Sequence, residues 1–112
     1  MGLAQELASH AGIPIVRRSS LELIACEDAG RFLTVCEHAR VWIVGIEGFR
    51  LWGDKTEPDM EAIADFSALE ERSDRVQASI ADAWRYVRVV CGAKLFLEFD
   101  VEQDESVVPS TE

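Results

Sequence analysis

Apolar and polar positions alternate along this chain in two distinct rhythms. In Leu95–Val101, LFLEFDV, the period is two. Leu95, Leu97, Phe99 and Val101 fall on one face of a strand, and Phe96, Glu98 and Asp100 on the other. In Val76–Cys91 the period is three to four. Val76, Ile80, Ala83, Trp84, Val87 and Cys91 form a stripe that predicts a helix. Gly92 follows as its C′ residue. Ser67-x-x-Glu70 reads as the capping box that starts this helix.

The longest apolar run is Val41–Trp52, VWIVGIEGFRLW. Its β-branched and aromatic content predicts a strand. Twelve residues is long for one strand, so a bend is expected at Glu47-Gly48. Alternation puts Trp42, Val44, Ile46, Arg50 and Trp52 on one face. Val41, Ile43, Glu47, Phe49 and Leu51 take the other. Gly53–Asp59 reads as a polar loop. Met60–Phe66 then reads as a strand pairing back on Val41–Trp52, with a short helix capped by Thr56 as the rival.

The N-terminal half is less regular. Leu3, Leu7 and Ala11 predict a short helix ended by Gly12 and Pro14. Leu21–Ala25 fits a strand or a first helical turn. Glu27–Ala39 predicts a helix, with Glu27 and Asp28 at its positive end, His38 and Arg40 at its negative end, and Phe32, Val35, Cys36 and Ala39 as its stripe. Gly30 sits inside that helix, and a hairpin turning at Glu27–Gly30 is the alternative. The sum is an α+β fold. Two main helices pack on one face of a small, mostly antiparallel or mixed sheet, in one domain over residues 1–101. Residues 102–112 read as an acidic disordered tail.

Charge narrows the classes of partner. The net charge is −10, from 21 acids and 11 bases. Six acids and no base lie in Glu98–Glu112, and seven acids face only Lys55 in Asp54–Glu71. Binding to a nucleic-acid backbone needs clustered Lys and Arg, and so does binding to an anionic membrane. Neither partner is expected. A basic protein is the complementary one. No run approaches the ~20 apolar residues of a membrane span. The N-terminus has no basic segment followed by an apolar one, so a cytoplasmic location is expected. Cys26, Cys36 and Cys91 are odd in number and irregularly spaced, which points to free buried thiols rather than a disulfide frame.

Candidate chemistry is sparse. Cys26, Cys36, His38 and Cys91 are ligand types that zinc accepts, but no pair has metal-ligand spacing, and no metal or cofactor is expected. Cys36 and His38, two apart on a helix, face different ways and do not form a nucleophile–base pair. No catalytic residue is assigned. Glu47 lies between Ile46 and Gly48. It is either a desolvated acid inside a continuous strand or a solvated residue at a bend, and the bend is preferred.

Three functions follow as expectations. The first is a small protein-interaction domain that binds a basic partner, in the manner of an inhibitor or immunity-type protein blocking a toxin nuclease. Its surface would use Trp42, Trp52 and Phe96, with Asp54, Glu57, Asp59 and Glu61 beside them. The second is a homodimer that buries an aromatic sheet face. The third is a small enzyme or ligand binder built on a buried Glu47 with His38.

Overall fold

A computed structural model describes residues 2–91 and 94–104. In chain order the elements are α1 (Leu3–His10), β1 (Val16–Arg18), β2 (Leu21–Ala25), α2 (Cys26–His38), β3 (Val41–Trp52), β4 (Lys55–Asp65), a 3-10 turn at Ser67–Leu69, α3 (Arg75–Val90) and β5 (Phe96–Gln103). The five strands form one antiparallel sheet in the order β1-β2-β5-β3-β4. The fold is α+β, as the residue pattern predicts. The last strand in sequence occupies the centre of the sheet.

The helices cover one face. α2 buries Ala29, Phe32, Leu33 and Cys36, and α3 buries Val76, Ser79, Ile80 and Ala83. From the sheet, Ile24, Ile46, Leu97 and Phe99 join the same core, and Ala8 of α1 joins it too. Phe32 and Phe99 meet with ring centroids 4.6 Å apart, a tilted aromatic contact across the helix–sheet boundary. Burying side chains of this size contributes roughly 1.5–3 kcal/mol each before the entropy cost of ordering them.

The strand Val41–Trp52 forms at its predicted bounds and breaks register where Glu47-Gly48 was expected to bend. Opposite Glu47-Gly48 on β4, the pairing jumps from Ile63 to Asp59. A second shift, against β5, falls between Ile43 and Gly45. The predicted polar loop Gly53–Asp59 is much shorter in the structure. Trp52 pairs with Lys55, leaving only Gly53 and Asp54 in the turn. Gly53 takes φ +57° at the first turn position, the conformation that lets a two-residue hairpin match strand twist. β4 is therefore an 11-residue edge strand, and Pro58, which lacks an N–H, is tolerated in it.

Pairing of β4 with β3 ends at Asp65–Gly45, with one further bond from the Phe66 N–H to the Val44 carbonyl at 2.8 Å. Past that point α3 takes over the open edge of β3: Ser79 Oγ accepts the N–H of Ile43 at 2.9 Å. A buried strand edge is thus satisfied by a helix side chain rather than by another strand.

Four sequence expectations need correction. The capping box at Ser67 does not start α3. The Asp65 carboxylate accepts the Ser67 N–H at 2.9 Å and leads into the 3-10 turn, whose Leu69, with Phe66 before it, packs on the core. The chain then reaches Arg75 before α3 begins. The tail does not start at residue 102. Glu102 and Gln103 complete β5, and Asp104 is buried with its carboxylate 3.1 Å from Arg75 Nε and 3.7 Å from Arg40. Residues 105–112, the rest of the expected tail, lie outside the described residues, as does Gly92.

The third correction concerns sulfur. Cys26 and Cys91 form a disulfide, with Cα atoms 5.4 Å apart. It joins the first residue of α2 to the residue that ends α3. Only Cys36 is a free buried thiol, and burial pushes it up to about 12. The fourth concerns Trp42. It is 1% exposed and lies in the core, with the Arg75 guanidinium 5.1 Å from its ring centroid.

Candidate acidic groove

Strand register decides which side chains share a face. Ile46 lies opposite Phe99 and Gly48 opposite Leu97, so this set of β3 positions points toward the helices. Glu47 lies opposite Glu98, and Phe49 opposite Phe96, on the face that no helix of the core covers. The same alternation carries Ile63 and Asp65 of β4 and Asp100 of β5 onto that second face.

The result is a shallow depression of about 510 Å³ across β5, β3 and β4. Gly45 is its floor, flanked by Asp65 on one strand and Asp100 on the other. A Cβ at Gly45 would come within 3.0 Å of the Ala64 carbonyl oxygen, so a side chain here is resisted and the floor stays low. One residue pair along, Glu47 stands between Ile63 and Glu98. Four carboxylates and one aliphatic side chain thus ring a glycine.

These acids repel one another. Partial burial pushes the Glu98 carboxyl up from its ordinary value, and the adjacent Glu47 carboxyl, by charge and by hydrogen bonding, pushes it further; Asp100 and Glu22 add to this. A hydrogen bond between two carboxyl groups requires a proton on one of them. Asp65 is shifted the other way, because the Ser67 hydrogen bonds stabilise its charged form. Among the described residues, no salt bridge neutralises Glu47, Asp65, Glu98 or Asp100. The ion pairs among the described residues lie elsewhere.

The residues assigned to a partner surface do not meet in one patch. Trp42 is core. Trp52 is 60% exposed beside the hairpin turn, its indole N–H donating to Glu57 at 3.0 Å. Phe96 is half-buried on the second face. Asp54 is exposed in the turn and Glu61 on β4. Asp59 holds Arg50 at 2.9 Å. So Glu57 already accepts a hydrogen bond and Asp59 an ion pair within the chain, whereas the groove gathers four carboxylates that no ion pair among the described residues neutralises.

Glu47 is exposed, as the bend reading has it. It is not the buried acid of the enzyme reading, and it is not brought to His38. Glu47 lines the groove on the sheet, whereas His38 lines a depression with His10, Val35 and Ala39 at the helix ends. Among the described residues no group of three His, Cys, Asp or Glu side chains is placed to hold a metal ion. Two of the four residues weighed for zinc are joined to each other.

Glu98, Asp100 and Asp65 were missing from the sequence-based surface. The alternation of β5 already put Glu98 and Asp100 opposite Leu97 and Phe99. What the sequence lacks is the register that sets Glu47 against Glu98 rather than the tryptophans against Phe96. No helix among the described residues is long and apolar enough to cross a membrane. No family model, no curated protein and no solved structure matches this chain.

Proposed function

We propose that this protein is a non-catalytic binding module for a basic protein partner, and that the acidic groove on the uncovered sheet face is its contact surface. The observation that supports this best is the set of four carboxylates around Gly45 that no Lys or Arg among the described residues neutralises. A lysine or arginine side chain suits such a groove. Its aliphatic stem can lie on Ile63 while its charge reaches the carboxylates. A net charge of −10 adds long-range attraction for a basic surface. The concrete form is an inhibitor of the immunity type, whose carboxylates occupy the cationic site of a nuclease in place of phosphates.

A second copy of the chain fits the groove poorly, because a two-fold contact there would set carboxylates against carboxylates. A homodimer would have to use another surface, such as Trp52 and Met60, which are both well exposed.

A test titrates a lysine-rich peptide into the protein at low and at high salt, following backbone amide NMR shifts. The expected result is saturable movement at Gly45, Glu47, Glu98 and Asp100 that weakens with salt. The triple variant Glu47→Gln, Asp65→Asn, Asp100→Asn should bind at least tenfold more weakly, a loss of about 1.4 kcal/mol. Equal binding by this variant, or shifts confined to Trp52 and Asp54, would reject the groove.

We place the protein in the cytoplasm as part of the same proposal. The Cys26–Cys91 bond weighs against that placement, because disulfides persist mainly in oxidising compartments. Counting free thiols in protein alkylated at the moment of cell lysis decides the matter.

A further inference from the structure

We propose that Cys26–Cys91 is a reversible redox latch, which dithiol exchange opens in the folded protein and which sets the mobility of the C-terminal turns of α3. Three observations carry this.

The first is access. Both cysteines are half-buried rather than sealed in. They line a depression of about 420 Å³ with Ala25, Glu27, Lys94 and Phe96, at the edge of the α2–α3 layer. A small thiol reaches the bond from there. Cys36, by contrast, is fully buried.

The second is the asymmetry of the two sulfurs. Cys26 is the first residue of α2, where the positive end of the helix dipole stabilises a thiolate, while its own N–H is taken by the Leu95 carbonyl at 3.1 Å. Lys94 across the depression adds to this, and Glu27 and Asp28 oppose it. Cys91 ends α3, where the dipole is unfavourable to negative charge. Exchange therefore has a preferred direction. A thiolate of the reductant attacks Cys91 Sγ, forms a mixed disulfide and expels Cys26 as the thiolate. The reductant's second thiol then attacks its own sulfur in the mixed disulfide and releases Cys91, which takes up a proton. Two electrons pass to the protein, and the dithiol leaves as a cyclic disulfide.

The third is what the bond holds. It ties the end of α3 to the start of α2, and through Ala25 to β2. One turn earlier, Tyr86 of α3 donates its hydroxyl to the Ala62 carbonyl of β4 at 2.6 Å. Opening the latch frees the last turns of α3, and Tyr86 passes that freedom to the part of β4 that carries Ile63.

The test treats the wild-type protein with dithiothreitol under native conditions. Mass spectrometry maps the alkylated cysteines, and hydrogen exchange is followed in parallel. The expected result is labelling of Cys26 and Cys91 with Cys36 still protected. Exchange should quicken by about tenfold or more at Val87–Val90 and at Ala62–Ala64, without global unfolding. Tyr86→Phe should leave the thiol reaction unchanged and remove the difference at Ala62–Ala64 between oxidised and reduced protein. Labelling of all three cysteines together would overturn the proposal, because the bond would then open only on unfolding. So would selective reduction with unchanged exchange in α3. Neither outcome bears on whether the acidic groove binds a basic partner.

Discussion

The Cβ that Gly30 lacks would lie 2.8 Å from Cη2 of Trp84 and 3.1 Å from Cζ3. A glycine in the second turn of a helix costs about 1 kcal/mol against alanine, and here that cost lets α3 lay an indole directly on α2. Gly30→Ala should therefore fail to stabilise the protein. The helix-propensity gain is offset by an overpacking cost of about 1–3 kcal/mol. In a Trp84→Leu background the same substitution should become stabilising by up to about 1 kcal/mol. A double-mutant cycle in urea measures the reversal, and additive effects would show that the contact is not tight.

Asp104 should matter more than its place near the chain's end suggests. Its carboxylate is buried between Arg75 and Arg40. Removing it with Asp104→Ala leaves Arg75, which lies over Trp42, without its charge partner. Breaking a buried pair from one side costs on the order of 3 kcal/mol. Arg40→Ala breaks only the longer, more exposed contact and should cost less than about 1 kcal/mol. Thermal melts of the two variants rank them, and similar losses would mean that Arg75 is not the principal partner.

Ser79 links α3 to β3 while donating its own proton to the Val76 carbonyl at 3.3 Å. Its hydroxyl accepts the Ile43 N–H at the point where β4 no longer pairs with β3. Ser79→Ala strands a buried donor, at a cost of about 1–3 kcal/mol. The amide of Ile43 should then exchange faster than its neighbours in β3, which residue-resolved hydrogen exchange can see.

The acidic face predicts an unusual pH response. The Glu98 carboxyl is raised in the folded protein, so the folded state holds its proton more tightly than the unfolded state. Stability from this group is present at low pH and is lost as pH rises from the ordinary glutamate value, about 4.3, through the raised one. Glu98→Gln should consequently increase stability at pH 7 and change it little at pH 3. Urea midpoints at the two pH values test this. A loss of stability at pH 7 would mean that the charge on Glu98 is favourable in the folded state.

Local patterning made much of this fold legible. Every other residue of Leu95–Phe99 meets the helices, as the alternation says, and Phe32 and Cys36 face the core as their spacing requires. What the sequence could not supply is pairing at a distance. Trp42 was assigned to a surface because nothing local says whether Ile46 sits opposite Phe99 or opposite Phe96. One residue of slip exchanges those faces. The disulfide was missed for a related reason. Cys26 and Cys91 are 65 residues apart with no spacing motif, and only the packing of α2 on α3 brings them together. At the candidate site, Glu47 was readable as a bend residue, while its partners Glu98, Asp100 and Asp65 emerge only once β3 lies between β5 and β4.

The position of β5 has a consequence for how this protein comes into being on the ribosome. As a nascent chain emerges, β1 can pair with β2 and β3 with β4, because each pair is adjacent in sequence. The two hairpins cannot join, since the strand that belongs between them is the last to be made. Until Gln103 has cleared the exit tunnel, Ile24 and Ile46 have no Leu97 or Phe99 between them. From the time β3 is made until β5 follows it, the growing chain carries an open seam. Only β5 can close that seam, because it pairs with β2 on one edge and β3 on the other.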